Sequence, residues 1–97
     1  MRTYVLLPAQ AQLMTDLERE QLFDWLRKEF KVDPMDVSGI RLVPTQRKVV
    51  ITTLVRGADG GIAESPYMKG EPWTETETHP MRDKPPLIDH YTIEELS

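Results

Sequence analysis

Apolar positions recur at two periods along this chain, and the change of period divides it into elements. From residue 15 to 30, T-D-L-E-R-E-Q-L-F-D-W-L-R-K-E-F, the period is that of a helix. Leu22, Phe23, Trp25, Leu26 and Phe30 recur at spacings of three and four and form one stripe. Asp16, Glu20, Asp24, Arg27 and Lys28 fall on the other side, with Asp24 and Lys28 spaced as a favourable pair. Thr15 followed by Glu18 spells a capping box, and Asp16 and Glu18 put negative charge at the positive end of the helix dipole. The stripe therefore predicts a core helix.

Around that helix the period falls to two. Residues 2–7 read as a short strand closed by Pro8, which cannot donate to a ladder. Residues 9–14 are helix formers, either a separate segment or an early start of the main helix. Asp33-Pro34 with Asp36 starts a single helical turn, proline taking the first position where its missing N–H costs nothing. Residues 40–43 form a strand, and residues 48–56, K-V-V-I-T-T-L-V-R, form the strongest one. Val49, Ile51 and Val55 project from one of its faces, Val50 and Leu54 from the other. That pattern predicts a central strand with the helix on one face and at least partial cover on the other. Trp25 and Leu26 are expected to pack against Val49, Ile51 or Val55.

The remainder is weaker. Residues 57–61 carry the Asp-Gly signature of a hairpin turn, which predicts a strand from Ile62 to just before Pro66. Residues 73–79, W-T-E-T-E-T-H, read as a further, polar strand ended by Pro80. Lys84-Pro85-Pro86 is extended, and residues 92–96 repeat the capping-box spelling, which predicts a terminal helical turn. The fold expected is α+β: one main amphipathic helix on a three- to four-stranded antiparallel sheet, with an extended, proline-rich acidic C-terminal segment. A single domain is expected over residues 1–84 and a tail over 85–97.

Composition sharpens that division. Residues 1–56 hold nine Lys/Arg against seven Asp/Glu, whereas residues 57–97 hold three against nine. The first stretch also carries 26 of the 38 apolar residues, so the core belongs there. The net charge of −4 disfavours binding nucleic acid through its phosphates. The absence of cysteine excludes disulfides and thiol chemistry and fits a reducing compartment. The start at residues 1–8 is apolar for only a few positions, too short for a signal or membrane segment, so a soluble, cytoplasmic protein without membrane contact is expected.

Candidate chemistry is sparse. Glu75, Glu77 and His79 alternate on the polar strand and share a face, as a metal or acid–base site requires. The same alternation describes a solvated edge guarded by charge, which is the reading preferred, with no metal, cofactor or catalytic residue expected. His90 is a conceivable fourth ligand whose position nothing in the sequence fixes. Arg41, Arg47, Lys48 and Arg56 give the hairpin a basic margin, but it lacks the aromatic platforms of a single-strand nucleic-acid surface. Leu87, Ile88, Tyr91, Ile93 and Leu96 follow the Pro-Pro break without an obvious place in the core. They suggest a docking segment that orders on a partner, or else one that folds back onto the sheet. Trp73 marks the next candidate surface.

Together the L-F-D-W-L-R helix, the V-D-P-M-D-V turn and the K-V-V-I-T-T-L-V-R-G-A-D-G-G-I hairpin, over residues 22–62, give a recognisable order of motifs. It resembles that of small uncharacterised proteins common in actinobacteria and their phages. The resemblance implies a phage or prophage setting and no particular activity. The function expected is that of a non-enzymatic accessory protein that binds another protein, a host factor or a virion component, with self-association through a sheet edge as a variant. The alternatives are an enzyme using Glu75, Glu77 and His79, or a nucleic-acid-associated regulator.

Overall fold

The computed structural model describes residues 2–67, 69–82 and 84–95. The chain runs β1 (Arg2–Leu6), α1 (Pro8–Gln12), α2 (Asp16–Trp25), a π-helical turn (Leu26–Phe30), β2 (Val37–Val43), β3 (Lys48–Leu54), β4 (Thr74–Pro80) and β5 (Thr92–Glu95). It is an α+β fold, one main helix on a five-stranded antiparallel sheet of order β4-β3-β2-β1-β5.

The helix begins where its capping box sets it. Thr15 Oγ1 accepts from the Glu18 amide at 3.2 Å, and Glu18 Oε1 accepts from the Thr15 amide at 2.9 Å. Residues 8–12 form their own short helix with Pro8 in its first turn, so Thr15 opens α2 rather than lying inside a longer one. Past Phe30, Lys31 takes a left-handed conformation (φ 54°) that ends the helical run. The Asp33 carboxylate then accepts from the Met35 amide at 3.0 Å and caps a single 3₁₀ turn at Pro34–Asp36.

Register places the core. The pairs Tyr4↔Leu42, Leu6↔Ile40, Ile40↔Ile51 and Leu42↔Val49 lie on one face of the sheet. Leu22 and Leu26 come down on that face and are buried with Leu6, Met14, Ile40, Leu42, Val49, Ile51 and Tyr91. Trp25 lies one residue, about 100° of helix, from Leu26. It is therefore half-buried at the margin of the stripe, its ring edge-on to Phe30 at 4.9 Å. Val55 is only half-buried and lies outside the cluster. On the opposite face Val5 and Val43 are buried outside the main cluster, while Val50 and Leu54 are half-buried.

Two expectations about strands are corrected. Residues 92–95 form β5 rather than a helical turn, paired with β1 from Arg2↔Glu95 to Val5↔Thr92. A helix that short is not stable alone, whereas the free edge of β1 offers backbone hydrogen-bond partners along one side of the segment. This gives the sheet a fifth strand and draws the C-terminal segment into the fold. The hairpin expected after Asp59-Gly60 does not yield a full strand either. Residues 62–64 make only isolated bridges, Arg56↔Ile62 and Glu64↔Pro72. At their base three segments exchange bonds in a ring: Trp73 O accepts from Val55 N, Val55 O from Ala63 N, and Ala63 O from Trp73 N, at 2.8–2.9 Å. Beyond that ring β3 pairs with β4, from Leu54↔Thr74 to Lys48↔Pro80.

From β4 at one edge to β5 at the other the chain crosses the helix-covered side. Met81, Leu87 and Ile88 pack partly buried on the core, and Tyr91 is 6% exposed. No helix among the described residues is long and apolar enough to cross a membrane.

Candidate functional site

The sequence-level candidates separate into three places. The first is the outer strand β4. Opposite Glu75, Glu77 and His79 stand Thr53, Ile51 and Val49, so the three side chains do share the helix-covered face. The helix reaches only the last of them. Phe30 lies 4.9 Å from the His79 ring, and His79 is half-buried in consequence. His79 Nε2 stands 3.1 Å from Glu77 Oε2, while Glu75 and Glu77 are exposed. Among the described residues no three His, Asp or Glu side chains converge to hold a metal ion.

His90 is placed elsewhere. Its Nε2 lies 2.8 Å from Glu18 Oε2, at the start of α2, whereas His79 meets Phe30 at the far end of the helical run. The Glu18 carboxyl is held below its ordinary range, first by the Thr15 amide and then by His90. This contact fastens the crossing segment to the helix and brings no ligand toward β4.

The second place is the C-terminal segment. Of the residues suggested as a docking surface, Tyr91 belongs to the core and Leu87 and Ile88 pack against it. Ile93 is 54% exposed on β5, and Leu96 lies outside the described residues. Burial raises the Tyr91 hydroxyl pKa far above its usual value, and among the described groups that hydroxyl has no hydrogen-bond partner. A segment whose largest side chain sits in the core is not a free peptide awaiting a partner.

The third place is the basic margin of the hairpin. Arg41 donates to Thr3 Oγ1 at 3.0 Å and pairs with Glu94 at 3.3 Å. Arg56 pairs with Asp36 at 2.8 Å and donates to the Gly60 carbonyl at 3.4 Å. Two of the four cations are thus engaged within the fold.

What remains on the surface is the β4 edge itself. It is seven residues long, it terminates the sheet, and every residue but His79 is exposed. Thr74, Thr76 and Thr78 line its other face, good strand formers that keep the edge extended. Trp73, half-buried in the ring of bonds with Val55 and Ala63, fixes where that edge begins. Such an edge presents unpaired N–H and C=O groups with carboxylates beside them. No known family model matches this chain, and comparison with curated proteins and with solved structures finds no match.

Proposed function

We propose that this chain is a non-enzymatic accessory protein that binds another protein by strand addition at β4, and that the partner strand is basic. The observation that carries this reading is the exposed seven-residue edge with Glu75 and Glu77 on one face. Main-chain bonds along such an edge supply affinity, and side chains at alternate positions supply selectivity. Carboxylates two residues apart oppose a second acidic strand and favour Lys or Arg at alternate positions of the partner. The same charges disfavour pairing of two β4 edges between copies, so a different protein is the partner favoured. The resemblance over residues 22–62 supports a phage or prophage setting for that interaction.

The test uses extended peptides in which lysine alternates with threonine, with lysine-to-glutamate and shuffled versions as controls. Amide shifts in a nitrogen-15 spectrum should concentrate at Thr74–Pro80 with the alternating basic peptide alone. Replacing Glu75 and Glu77 by Gln should weaken binding about tenfold, from roughly 0.7 kcal/mol per cross-strand charge pair. Equal binding of the glutamate peptide, or binding that survives N-methylation of the peptide backbone, removes strand addition as the mode.

A further inference from the structure

A solvent-open cleft of about 350 Å³ lies between α1, one flank of α2 and the Pro34–Asp36 turn, and none of its lining residues belongs to β3 or β4. Leu6, Leu22, Leu26 and Ile40 form its floor, each no more than 3% exposed. Leu7 and Met35 stand at its rim, 49% and 71% exposed. The core therefore lies just behind the cleft, and Leu7 and Met35 supply exposed apolar surface at its mouth. Its volume falls at the lower end of the range for small-molecule sites.

The polar inventory of the cleft decides what fits it. Arg19 is the one charged residue among the described residues lining it. Its guanidinium pairs with Asp16, whose side chain is 98% exposed, so that ion pair is solvated and readily exchanged. Gln12 and Ser38 also line the cleft; Gln12 is exposed, and the Ser38 hydroxyl already donates to the Thr52 carbonyl at 3.3 Å. A peptide pressed into this floor would bring backbone N–H and C=O groups to aliphatic side chains that cannot pair them. A hydrocarbon chain carries no such groups, and a single anionic head would meet the single cation at the rim.

We propose that this cleft binds the hydrocarbon chain of a medium-chain fatty acid, with Arg19 holding the carboxylate. The chain lies over Leu22, Leu26 and Ile40, and Leu7 and Met35 close on it from the rim. Arg19 exchanges the exposed Asp16 carboxylate for that of the ligand. Binding of this kind leaves the β4 edge untouched, so it stands or falls independently of strand addition.

Calorimetry with octanoate, decanoate and dodecanoate below their micelle concentrations, paired with methyl spectra of the full chain, tests it. The expected result is saturable one-to-one binding, tightening about fourfold per added methylene until the cleft is full. Methyl shifts should concentrate at Leu22, Leu26 and Ile40. Decanoate should bind about two- to fivefold tighter than decanol. Arg19→Gln should erase that preference without weakening decanol, and Arg19→Lys should keep most of it. Absence of saturable binding, shifts spread over the whole chain, or a preference that survives Arg19→Gln overturns the proposal. So does a leucine-rich helical peptide that saturates the cleft methyls where decanoate does not.

Discussion

The two edges of the sheet solve the same problem in opposite ways. At β5 each of two adjacent carboxylates has a cation: Glu95 meets Arg2 at 2.8 Å, and Glu94 meets Arg41 at 3.3 Å. The strand is four residues long, and Tyr91 anchors it in the core from the residue before. At β4 the strand is seven residues long, Glu75 has no ion pair among the described residues, and Glu77 has only His79. One edge is closed by internal charge balance and a buried anchor. The other is held extended by threonines and left with unbalanced negative charge. An edge guarded by unbalanced charge repels its own kind and admits the opposite charge, which is the contrast on which the proposed strand addition rests.

The largest test of this contrast removes the anchor of the closed edge. Tyr91→Ala deletes a side chain that is 6% exposed, and a loss of about 3–5 kcal/mol in urea melts is expected. A matching substitution on the open edge, Thr76→Ala, should stay within about 0.5 kcal/mol. Comparable losses at the two positions would mean that β4 is no more dispensable than β5. Tyr91→Phe refines the point. The hydroxyl is buried without a partner among the described groups, so removing it should gain about 1 kcal/mol.

A smaller effect is expected where β4 touches the helix. Among the described residues, the Phe30 contact with His79 is the ring contact that ties the edge strand to the helical layer. His79→Ala should cost about 0.5–1.5 kcal/mol, and nitrogen-15 relaxation should show the end of β4 near Pro80 loosening first. A loss as large as that of Tyr91→Ala would make β4 part of the core.

How far these features were legible from the residues follows from the distance over which each is determined. The Thr15–Glu18 box, the Asp33-Pro34 turn and the stripe of Leu22 and Leu26 are set within a few residues, and each appears in the fold where the pattern puts it. The fate of residues 92–95 is set by the free edge of β1, some ninety residues away, with Glu95 reaching Arg2. Nothing in T-I-E-E announces that partner, and its capping-box spelling points to a helix. The β3 hairpin misleads for a related reason. Asp59-Gly60 does make a tight turn, Gly60 N donating to Gly57 O at 3.0 Å, but the ring at Val55, Ala63 and Trp73 hands β3 to β4 instead. Glu75, Glu77 and His79 share a face as their spacing requires, because period two is a property of any strand. The apolar cleft has no signature in the residue pattern, since its walls come from three separate stretches, residues 6–12, 19–26 and 34–40.

Acid sharpens the contrast from the closed side. Glu18 joins α2 to His90 just before β5, and its folded pKa lies below the ordinary carboxyl value of 4.5. A carboxyl with a depressed folded pKa lends stability above its unfolded pKa and loses it as pH falls through the folded one. Wild-type stability should therefore drop with acid below about pH 4.5, and Glu18→Gln should flatten that part of the profile. Urea midpoints measured from pH 6 to pH 2.5 read this directly. Parallel profiles for the two proteins would mean that other carboxylates govern the acid response.

The smallest expected effects carry the sign that separates the edges. Glu94→Gln removes the ion-pair partner of Arg41, half-exposed on both sides, and should cost about 0.2–1 kcal/mol. Glu75→Gln breaks no ion pair among the described residues and removes a like charge two residues from Glu77. Its effect should be within about 0.5 kcal/mol of zero and on the stabilising side. Raising the salt concentration should shrink both differences, since both are surface electrostatic effects. The pair of measurements is informative because the substitutions are chemically identical and differ only in which edge carries them. If Glu75→Gln destabilises as much as Glu94→Gln, the β4 carboxylates are engaged within the fold. The edge would then have no unbalanced charge to offer a partner, and a basic strand would have no reason to prefer it.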